Sequence, residues 1–481
     1  MKPLPNLEEL SLAEKDDLIR FQFSQVIALT EQVEAQMLQI GILTAKLAEL
    51  EGRLALNSSN SSKPPSMDGF NKPKPKSLRL KGQNSTGGQK GHKGSTLKKV
   101  ECPDHIENHT PPSHCDICNH AIPDGVVVES RQVFDIPAIR HVVTEHRVLE
   151  SRCACGKVHR GKFPEGVSAP VQYGSNIKAA VVELTHHHMM PVARTGDLTG
   201  DLFGLPLSDA TILAINEEAR EILVPTVAAI GEAVKNAPVG HADETGMYVS
   251  GTLYWLHVLA TPMLTWMGSH ANRGKIAFDA FGLLTAFTGT LVHDGWISYR
   301  DLACLHALCN AHHLRELTFV FEEMKQAWAK RLIDLLIQAH QEVALVGGPL
   351  AADRIAHYRS AHAEILSEGE AVNPRAPPSG KRGKTKQSKA LNLHDRLRDH
   401  ADDVWRFLTD PNVPFSNNIA EQIMRMNKVK QKISGGFRTE AGLASFCTIR
   451  SYLATMQKQG FNIFDSLKLA FQGTPPQPRF A

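Results

Sequence analysis

The sequence has no long apolar run. A membrane-crossing helix needs roughly 18 or more apolar residues in a row, and no segment of the 481-residue chain approaches that length. The first residues also lack the basic and then apolar pattern of a secretory signal. We therefore expect no membrane association and a cytoplasmic location.

Cysteine is scarce as well. Eight cysteines in 481 residues cannot form a disulfide scaffold, but four of them stand in two close pairs. The pairs are Cys115 with Cys118 and Cys153 with Cys155. Residues 126–151 between the pairs alternate as short strands do, which predicts a zinc ribbon over 101–165 with four thiolate ligands. Since the second pair has a tighter spacing, Cys102 or His114 is an alternative ligand. Unrelated reduced cysteines are the competing interpretation.

Acidic residues are nearly absent from residues 63–99. This segment has ten Lys or Arg and one acid, Asp68, so its net charge of +9 leaves −6 for the rest of a chain whose total is +3. Its Gly, Ser and Pro content predicts a flexible basic arm over 58–100. We expect Lys90 and Lys93 in this arm to bind DNA phosphates, although a solvated linker has the same composition.

Apolar residues recur every seven positions within residues 1–57. The first set is Ile19, Val26, Val33, Ile40, Leu47 and Leu54, and the second is Leu29, Leu43 and Leu50. Mostly β-branched residues in the first set, with Leu in the second, favour a parallel two-stranded coiled coil. We therefore expect a homo-oligomer. The alternative is an amphipathic helix that packs within its own chain.

Residues 166–235 are predicted to be helical. A Gly-Leu-Pro turn at 204–206 separates two helices, and Ser208 is a suitable N-cap for the second. This arrangement is typical of a DNA-binding helix-turn-helix, although any helical hairpin gives a similar pattern. Three consecutive histidines at 186–188 cannot share one face of a helix, so we expect them on the surface or facing phosphates.

Short strand-like segments follow Pro238. Three strands, a helix and a fourth strand that ends at Asp294 come in the order of an RNase H-like domain, which we place over 236–430. That fold puts the first and fourth strands side by side, which would bring Asp243 to Asp294. Neighbouring carboxylates repel each other unless divalent cations neutralise them. Alternation along the strand turns the adjacent Glu244 to the opposite face, where we expect it to support a neighbouring strand or to pair with a basic residue.

A third carboxylate, Glu421, lies in a predicted helix for which Ser416 is a plausible N-cap. Four basic residues follow it without an intervening acid. They are Arg425, Lys428, Lys430 and Lys432. A carboxylate beside such a track fits a nuclease, which binds metal on one side and the phosphate backbone on the other.

Four motifs together resemble those of the DDE transposases of the insertion-sequence-66 family. They are Asp243-Glu244-Thr245, His293-Asp294-Gly295-Trp296, Cys309-Asn310-Ala311-His312 and Asn417-Asn418-x-x-Glu421. The N-terminal heptads, the NSSNSSKPPS segment, the cysteine pairs and the C-terminal KISGGFRTEAG segment have counterparts in the same order. Ser416, where many members have Asp, and the Cys-x-Cys spacing are departures.

The resemblance implies specific roles for these residues. Asp243, Asp294 and Glu421 are expected to be the catalytic triad and to hold two Mg²⁺ or Mn²⁺ ions, while Asn417 and Asn418 are expected to contact DNA. It also implies a helical insertion at about 314–405 and a C-terminal helical element over 431–481. Cys309 and His312 could bind an ion or support the fold, and we favour support. We expect His293 and His313 to form local hydrogen bonds rather than to be ligands.

The expected fold is therefore a multidomain α/β protein. An RNase H-like catalytic domain with a helical insertion follows the coiled coil, the arm, the zinc ribbon and the helix-turn-helix-like region. The resemblance implies the large transposase subunit of a bacterial insertion sequence. Such a nucleoid-associated enzyme would bind transposon ends, cut them and join the 3′-hydroxyl to target DNA, together with accessory proteins. The alternatives are a regulatory or decayed DNA-binding protein and an RNase H-like nuclease that does not join strands.

Overall fold

The computed structural model describes residues 8–61, 68, 96–137, 139–377 and 385–480. The predicted DNA contacts Lys90 and Lys93 lie outside these residues. The chain divides into two compact units. The first comprises residues 1–78, 238–242 and 288–418, and the second comprises 79–237, 243–287 and 419–481. No helix in the described ranges is long and apolar enough to cross a membrane.

The first unit begins with one long helix, α1 (Leu12–Leu54). A capping box starts it: the Ser11 hydroxyl accepts the Glu14 backbone N–H, and the Glu14 carboxylate accepts the Ser11 N–H at 2.9 Å. The heptad side chains are exposed, from 49% at Val33 to 86% at Leu54. Packing within its own chain therefore does not cover the apolar heptads among the described residues.

The region of the cysteine pairs contains little regular structure. Strand β1 (Glu150–Arg152) pairs antiparallel with β2 (Val158–Arg160), and the second cysteine pair forms the turn between them. The prediction of strands throughout 126–149 is wrong for the described residues of that segment. Alternating residues favour a strand only where a neighbouring strand can take up the backbone hydrogen bonds, and here the apolar side chains stay exposed.

Helices dominate residues 175–235 of the second unit. Helix α2 (Ser175–Val182) continues as a π-helical turn over 183–187, and α3 (Val192–Phe203) ends at Gly204, whose φ is +64°. Helix α4 (Asp209–Lys235) begins at Ser208, whose hydroxyl accepts the Thr211 N–H at 3.2 Å. The two helices, the turn and the cap are thus confirmed.

The C-terminal helices complete that core. Helices α13 (Glu440–Lys458) and α14 (Ile463–Phe471) pack their apolar residues against α2 and α4. The predicted C-terminal helical element is therefore part of a core shared with residues 175–235. Its buried Leu453 and Leu467 belong to the same cluster as Leu223 of α4.

The interpretation of the three histidines as surface residues is wrong for His186. Its ring is buried, and Nδ1 lies 2.8 Å from the Thr185 hydroxyl, which also donates to Asn216 at 3.1 Å. Burial lowers the pKa of His186 to about 3, with Lys430 and Arg450 as further causes. His188, in contrast, is exposed and pairs with Glu183 at 3.5 Å, and its ring lies edge-on to the His187 ring with the centroids 4.9 Å apart.

Five strands form one mixed sheet in the order β5-β4-β3-β6-β7. They are β3 (Val239–Val249), β4 (Thr252–Ala260), β5 (Thr265–His270), β6 (Thr290–His293) and β7 (Leu305–Leu308). β3 pairs parallel with β6, and β6 pairs parallel with β7. The predicted adjacency of the first and fourth strands is therefore confirmed. Short helices α5 (Lys275–Phe281) and α6 (Ile297–Arg300) lie between strands along the chain.

A helical segment follows β7 in the first unit. Its helices are α7 (Asn310–Glu322), α8 (Ala327–Val346), α9 (Ala352–Val372), α10 (Lys389–Asp399) and α11 (Ala401–Trp405). They enclose a core around Trp328, Tyr358 and Trp405 that also includes Val239 and Val292 of the sheet. The insertion expected at about 314–405 is thus helical. Helix α12 (Asn418–Ser434) follows it along the chain and belongs almost entirely to the second unit.

Part of the acid sensitivity of the protein should arise from His257 in β4. This ring is buried against the edges of Phe278 and Phe281, and neither nitrogen has a hydrogen-bond partner in the described structure. Burial lowers the pKa of His257 to about 4. Between pH 6.5 and 4 the unfolded chain then binds more protons than the folded one, so stability falls as the pH falls, by up to about 1.4 kcal/mol per pH unit.

His257→Leu should remove this contribution. Urea unfolding of both proteins between pH 7 and pH 4.5 would show a shallower loss of unfolding free energy in the variant. Equal slopes would contradict the assignment of acid sensitivity to this ring.

Candidate active site

The two neighbouring acids of β3 have different surroundings. Glu244 is nearly buried, with its side chain 2% exposed, and it pairs with Arg273, whose Nε donates to Oε1 at 3.0 Å. The Arg273 guanidinium also stacks over the Trp255 ring at 4.6 Å. The expectation that Glu244 pairs with a basic residue is confirmed. This carboxylate therefore holds the fold of the second unit.

Asp243 is half-buried, and its Oδ1 accepts the Glu244 backbone N–H at 2.9 Å. The bond fixes the carboxylate beside its own backbone. The four residues before it, Val239 to Ala242, are buried in the strand. Asp243 is thus the first residue of β3 after its fully buried part, where a side chain can reach a solvent-accessible site.

A tight turn after β6 fixes Asp294. Its Oδ1 accepts the Trp296 N–H at 2.9 Å, and Gly295 takes a φ of +89° that favours glycine. The Gly295 N–H donates to Nδ1 of the buried His293 at 3.0 Å. This half-buried carboxylate therefore has a defined orientation at the strand end.

His293 is part of a directional hydrogen-bond chain. Because Nδ1 accepts, Nε2 carries the proton and donates to Nδ1 of His306 at 3.2 Å, whose own Nε2 faces the Leu302 carbonyl at 3.2 Å. Burial lowers the pKa of His293 to about 3, so the ring is neutral. His313 is also buried and bonds Asn310 at 3.0 Å. Local hydrogen bonding by both histidines is confirmed.

The parallel register of β3 and β6 relates the two aspartates. Val239, Gly240 and His241 pair with Thr290, Leu291 and Val292. Asp243 and Asp294 therefore each stand two residues beyond the last registered pair, His241 with Val292.

Helix α12 carries Glu421 in its first turn. The helix begins at Asn418, two residues after the predicted cap Ser416, and buries Ala420, Ile423 and Met424. The Glu421 side chain is mostly buried and lies 3.3 Å from Arg425, one turn further on. A carboxylate in the first turn is also favoured by the positive end of the helix dipole.

The basic residues of α12 do not form one uniform surface. Arg425 and Lys432 are exposed, whereas Lys428 is half-buried and donates to the Gly246 carbonyl at 2.6 Å. Lys430 is also half-buried, and burial lowers the pKa of both lysines. Of the four, Arg425 and Lys432 are therefore the most exposed.

Asn417 and Asn418 also differ. Asn418 is exposed, but Asn417 is 1% exposed, and its amide bonds His241 Nδ1 at 3.0 Å and the Ala242 carbonyl at 2.7 Å. Its backbone N–H donates to Cys309 Sγ at 3.1 Å. A residue engaged in this way has no surface for DNA, so the expected DNA contact does not fit the position of Asn417. Cys309 is confirmed as a local support of the fold.

The cysteine pairs form two separate arrangements. Hydrogen bonds from Cys118 and Ile117 lower the pKa of Cys115, and bonds from Cys155 lower that of Cys153. A lowered pKa favours the thiolate that zinc binds, so the donor chemistry of each pair suits the metal. The structure does not, however, gather three or more of these four described thiols within 4.8 Å. Neither Cys102 nor His114 joins them.

The second helix of the helix-turn-helix-like pair has an unfavourable charge for DNA. Helix α4 contains five acids and two bases. Asp209 and Glu221 are exposed, and a DNA groove lined by phosphates would repel them. The helix also buries much of its length in the core of the second unit. These features argue against α4 as a recognition helix.

Two supporting residues were missed from the sequence. Arg273 stands 29 positions after its partner Glu244, and nothing local in the sequence distinguishes it. The buried role of Asn417 was missed because paired polar residues before a helix resemble an exposed cap. A useful signal was its neighbour Phe415, an apolar residue that is buried in the helical core.

Comparisons with known proteins agree with the motifs. A family model described as Transposase IS66 family matches residues 170–445, which is more than half of the chain. A second model, described as Family of unknown function (DUF6444), matches residues 5–98. No curated protein matches the chain.

The different surroundings of the two acids predict unequal effects on stability. Glu244→Gln removes the charge that Arg273 pairs with and should lower the free energy of unfolding by about 1–3 kcal/mol. Asp243→Asn keeps the size of a half-buried side chain whose Oδ1 accepts the Glu244 backbone N–H, a bond that an amide oxygen can also accept, so its loss of that free energy should be smaller. Urea unfolding of both variants checks this, and a larger loss in Asp243→Asn would contradict it.

Proposed function

Because the chain belongs to the IS66 transposase family, a family of DNA-processing enzymes, we propose that it is the large transposase subunit of an insertion sequence. It binds the element's ends, cuts DNA there and joins the freed 3′-hydroxyl to target DNA. Divalent metal use is expected for this family. The observation that carries the proposal is the parallel register that leaves Asp243 and Asp294 at equal offsets on neighbouring strands.

The strand order supports an RNase H-like catalytic domain. Three successive strands, β3 to β5, occupy one side of the order, and β6 and β7 follow in parallel on the other side of β3. In such a domain the ends of the first and fourth strands carry the first two acids. The helical segment between β7 and α12 is then the insertion that separates the second acid from the third.

Three carboxylates are proposed as the catalytic set. Asp243, Asp294 and Glu421 are half-buried, and the two aspartates are each oriented by a backbone N–H. Carboxylate oxygens suit Mg²⁺ or Mn²⁺, so the donor set fits two such ions. Bound ions would supply charge neutralisation and activation of the attacking oxygen during phosphoryl transfer. The chain's own part is to hold three acids in place and to exclude Glu244 from them by pairing it with Arg273.

Exposed basic residues are proposed as the DNA contacts of this region. Arg425, Lys432 and Asn418 are exposed on α12 or at its start. Lys428 and Lys430 are better suited to holding the helix and to adding positive potential, since both are half-buried. The arm with Lys90 and Lys93 is proposed to bind phosphates without sequence preference.

The cysteine pairs and the N-terminal helix are proposed to serve assembly and DNA binding. Zinc bound by Cys115, Cys118, Cys153 and Cys155 would require the two pairs to come together, and each pair has a thiol with a lowered pKa. The exposed heptads of α1 fit a second copy of the same helix. Nucleoid association and accessory proteins of the same element complete the proposed context.

A nuclease that cuts without joining is the second candidate, because it would use the same three carboxylates. A DNA-binding protein without catalysis is the third. An assay with labelled end DNA, target DNA and Mg²⁺ separates all three. Cut and joined products support the transposase, cut products alone support the nuclease, and binding without products supports the DNA-binding protein.

Asp294→Asn should lower the rate of strand cleavage by on the order of 100- to 1,000-fold or more, because it removes a metal-binding charge. Binding of end DNA without metal should be unchanged. Asp301→Asn is the matched control, since the same change falls on an exposed aspartate of the same unit. Equal cleavage by the two variants would refute the assignment of Asp294.

The heptads of α1 predict a dimer, and one charge placed among the apolar heptad residues should dissociate it into monomers. Val33→Asp places a carboxylate in the apolar seam and should shift the protein from dimer to monomer in sedimentation equilibrium at micromolar concentration. Ala35→Asp, with the same charge outside the seam, should remain dimeric. A Val33→Asp protein that stays dimeric would refute self-association through this helix.

A further inference from the structure

Asn417 connects three parts of the first unit. Its side-chain carbonyl accepts from His241 Nδ1 at 3.0 Å, and its side-chain amide donates to the Ala242 carbonyl at 2.7 Å. Its backbone N–H donates to Cys309 Sγ, directly after β7. The residue is 1% exposed, so water does not compete for these bonds.

The register shows what these bonds span. His241 of β3 pairs with Val292 of β6, and Val292 pairs with Ala307 of β7. The Asn417 side chain forms hydrogen bonds with β3, and its backbone N–H forms one with Cys309 at the end of β7. Asn417 therefore spans the end of β6, the strand that lies between them. The residue that follows β6 is Asp294.

A second set of bonds fixes the segment before Asn417. The Asn310 N–H donates to the Phe415 carbonyl at 3.0 Å, and the Asn310 side chain donates to the Val404 carbonyl at 3.0 Å. Phe415 itself is buried in the helical core. Residues 415–417 are therefore held beside the end of β7 by two hydrogen bonds, one to the Phe415 carbonyl and one from the Asn417 backbone N–H.

Covalent continuity extends this connection to two proposed metal ligands. Ala242 directly precedes Asp243, and Asn417 directly precedes the helix that carries Glu421 one turn later. The geometry points to Asn417 as a positioning residue, which sets the start of α12 against His241 and Ala242 of β3 so that Glu421 and Asp243 can share a metal site. The inference rests on the proposed function, and it replaces a DNA contact as the role of Asn417.

The polarity of the amide makes the position specific. Ala242 offers a carbonyl oxygen, which needs a donor, and His241 offers its Nδ1–H, which needs an acceptor. An asparagine amide supplies both at once. An aspartate of the same shape would set an oxygen against the Ala242 carbonyl, so the connection to β3 should be lost without a change in side-chain volume.

Two variants with the same chemical change test this. Asn417→Asp alters the connecting amide, and Asn412→Asp makes the same change on an exposed side chain of the same unit. Without DNA, Mn²⁺ affinity is measured from the rise in unfolding temperature with metal concentration. With labelled end DNA, cleavage is measured over a range of Mg²⁺ concentrations.

Asn417→Asp should bind Mn²⁺ about 10- to 100-fold more weakly than the unmodified protein, with a matching loss of cleavage that higher Mg²⁺ partly restores. Its affinity for end DNA without metal should be unchanged. Asn412→Asp should keep its metal affinity and its cleavage activity. If Asn417→Asp does not fold, Asn417→Ser removes the connection without the opposed oxygen, and the same loss of metal affinity is expected.

Equal metal affinity in the two aspartate variants would overturn the inference. Weaker DNA binding with unchanged metal affinity in Asn417→Asp would also overturn it and would restore the DNA-contact role. The metal measurement needs no DNA, so it separates the inference from the proposed function. An unmodified protein that never cuts DNA refutes the transposase, whereas a selective loss of metal affinity in Asn417→Asp still supports positioning.

Discussion

The parallel pairing of β3 with β6 is the constraint on which the proposed chemistry depends. The two strands are separated along the chain by two other strands and a helix, and only their pairing puts Asp243 and Asp294 at equal offsets. Each acid follows a buried segment, since Asp243 comes after 239–242 of β3 and Asp294 comes directly after β6. Carboxylates brought together as proposed would repel each other, which would suit the proposed catalytic set to divalent cations.

Buried polar side chains hold this edge in place. His293 orders the turn after β6 through the Gly295 N–H, Asn417 connects β3 to the end of β7, and Glu244 pairs with Arg273. Each of these groups is satisfied by a specific partner, and each would cost free energy if the partner were lost. The polar bonds therefore specify one arrangement of strand ends, whereas the apolar core beneath them only requires that the strands pack.

Predictions from the sequence succeeded where a local pattern has one structural solution. The cap at Ser208, the turn after α3, the long α1 helix and the adjacency of the first and fourth strands are all present. They failed where the outcome depends on distant partners. The described residues of 126–149 alternate but have no neighbouring strand, and His186 lies in the core. Asn417, an expected DNA contact, is buried.

The sequence by itself determined the family, the candidate acids and the exposed heptads, because these rest on residue types at fixed spacings along the chain. The tertiary structure decided that Glu244, the neighbour of Asp243, pairs with Arg273. It also decided which basic residues of α12 remain exposed and that Asn417 faces inward. Those outcomes depend on pairs such as Glu244 with Arg273 and His241 with Asn417, whose members are 29 and 176 residues apart. Hydrogen-bond direction and burial are properties of such pairs, and a single position in a sequence does not carry them.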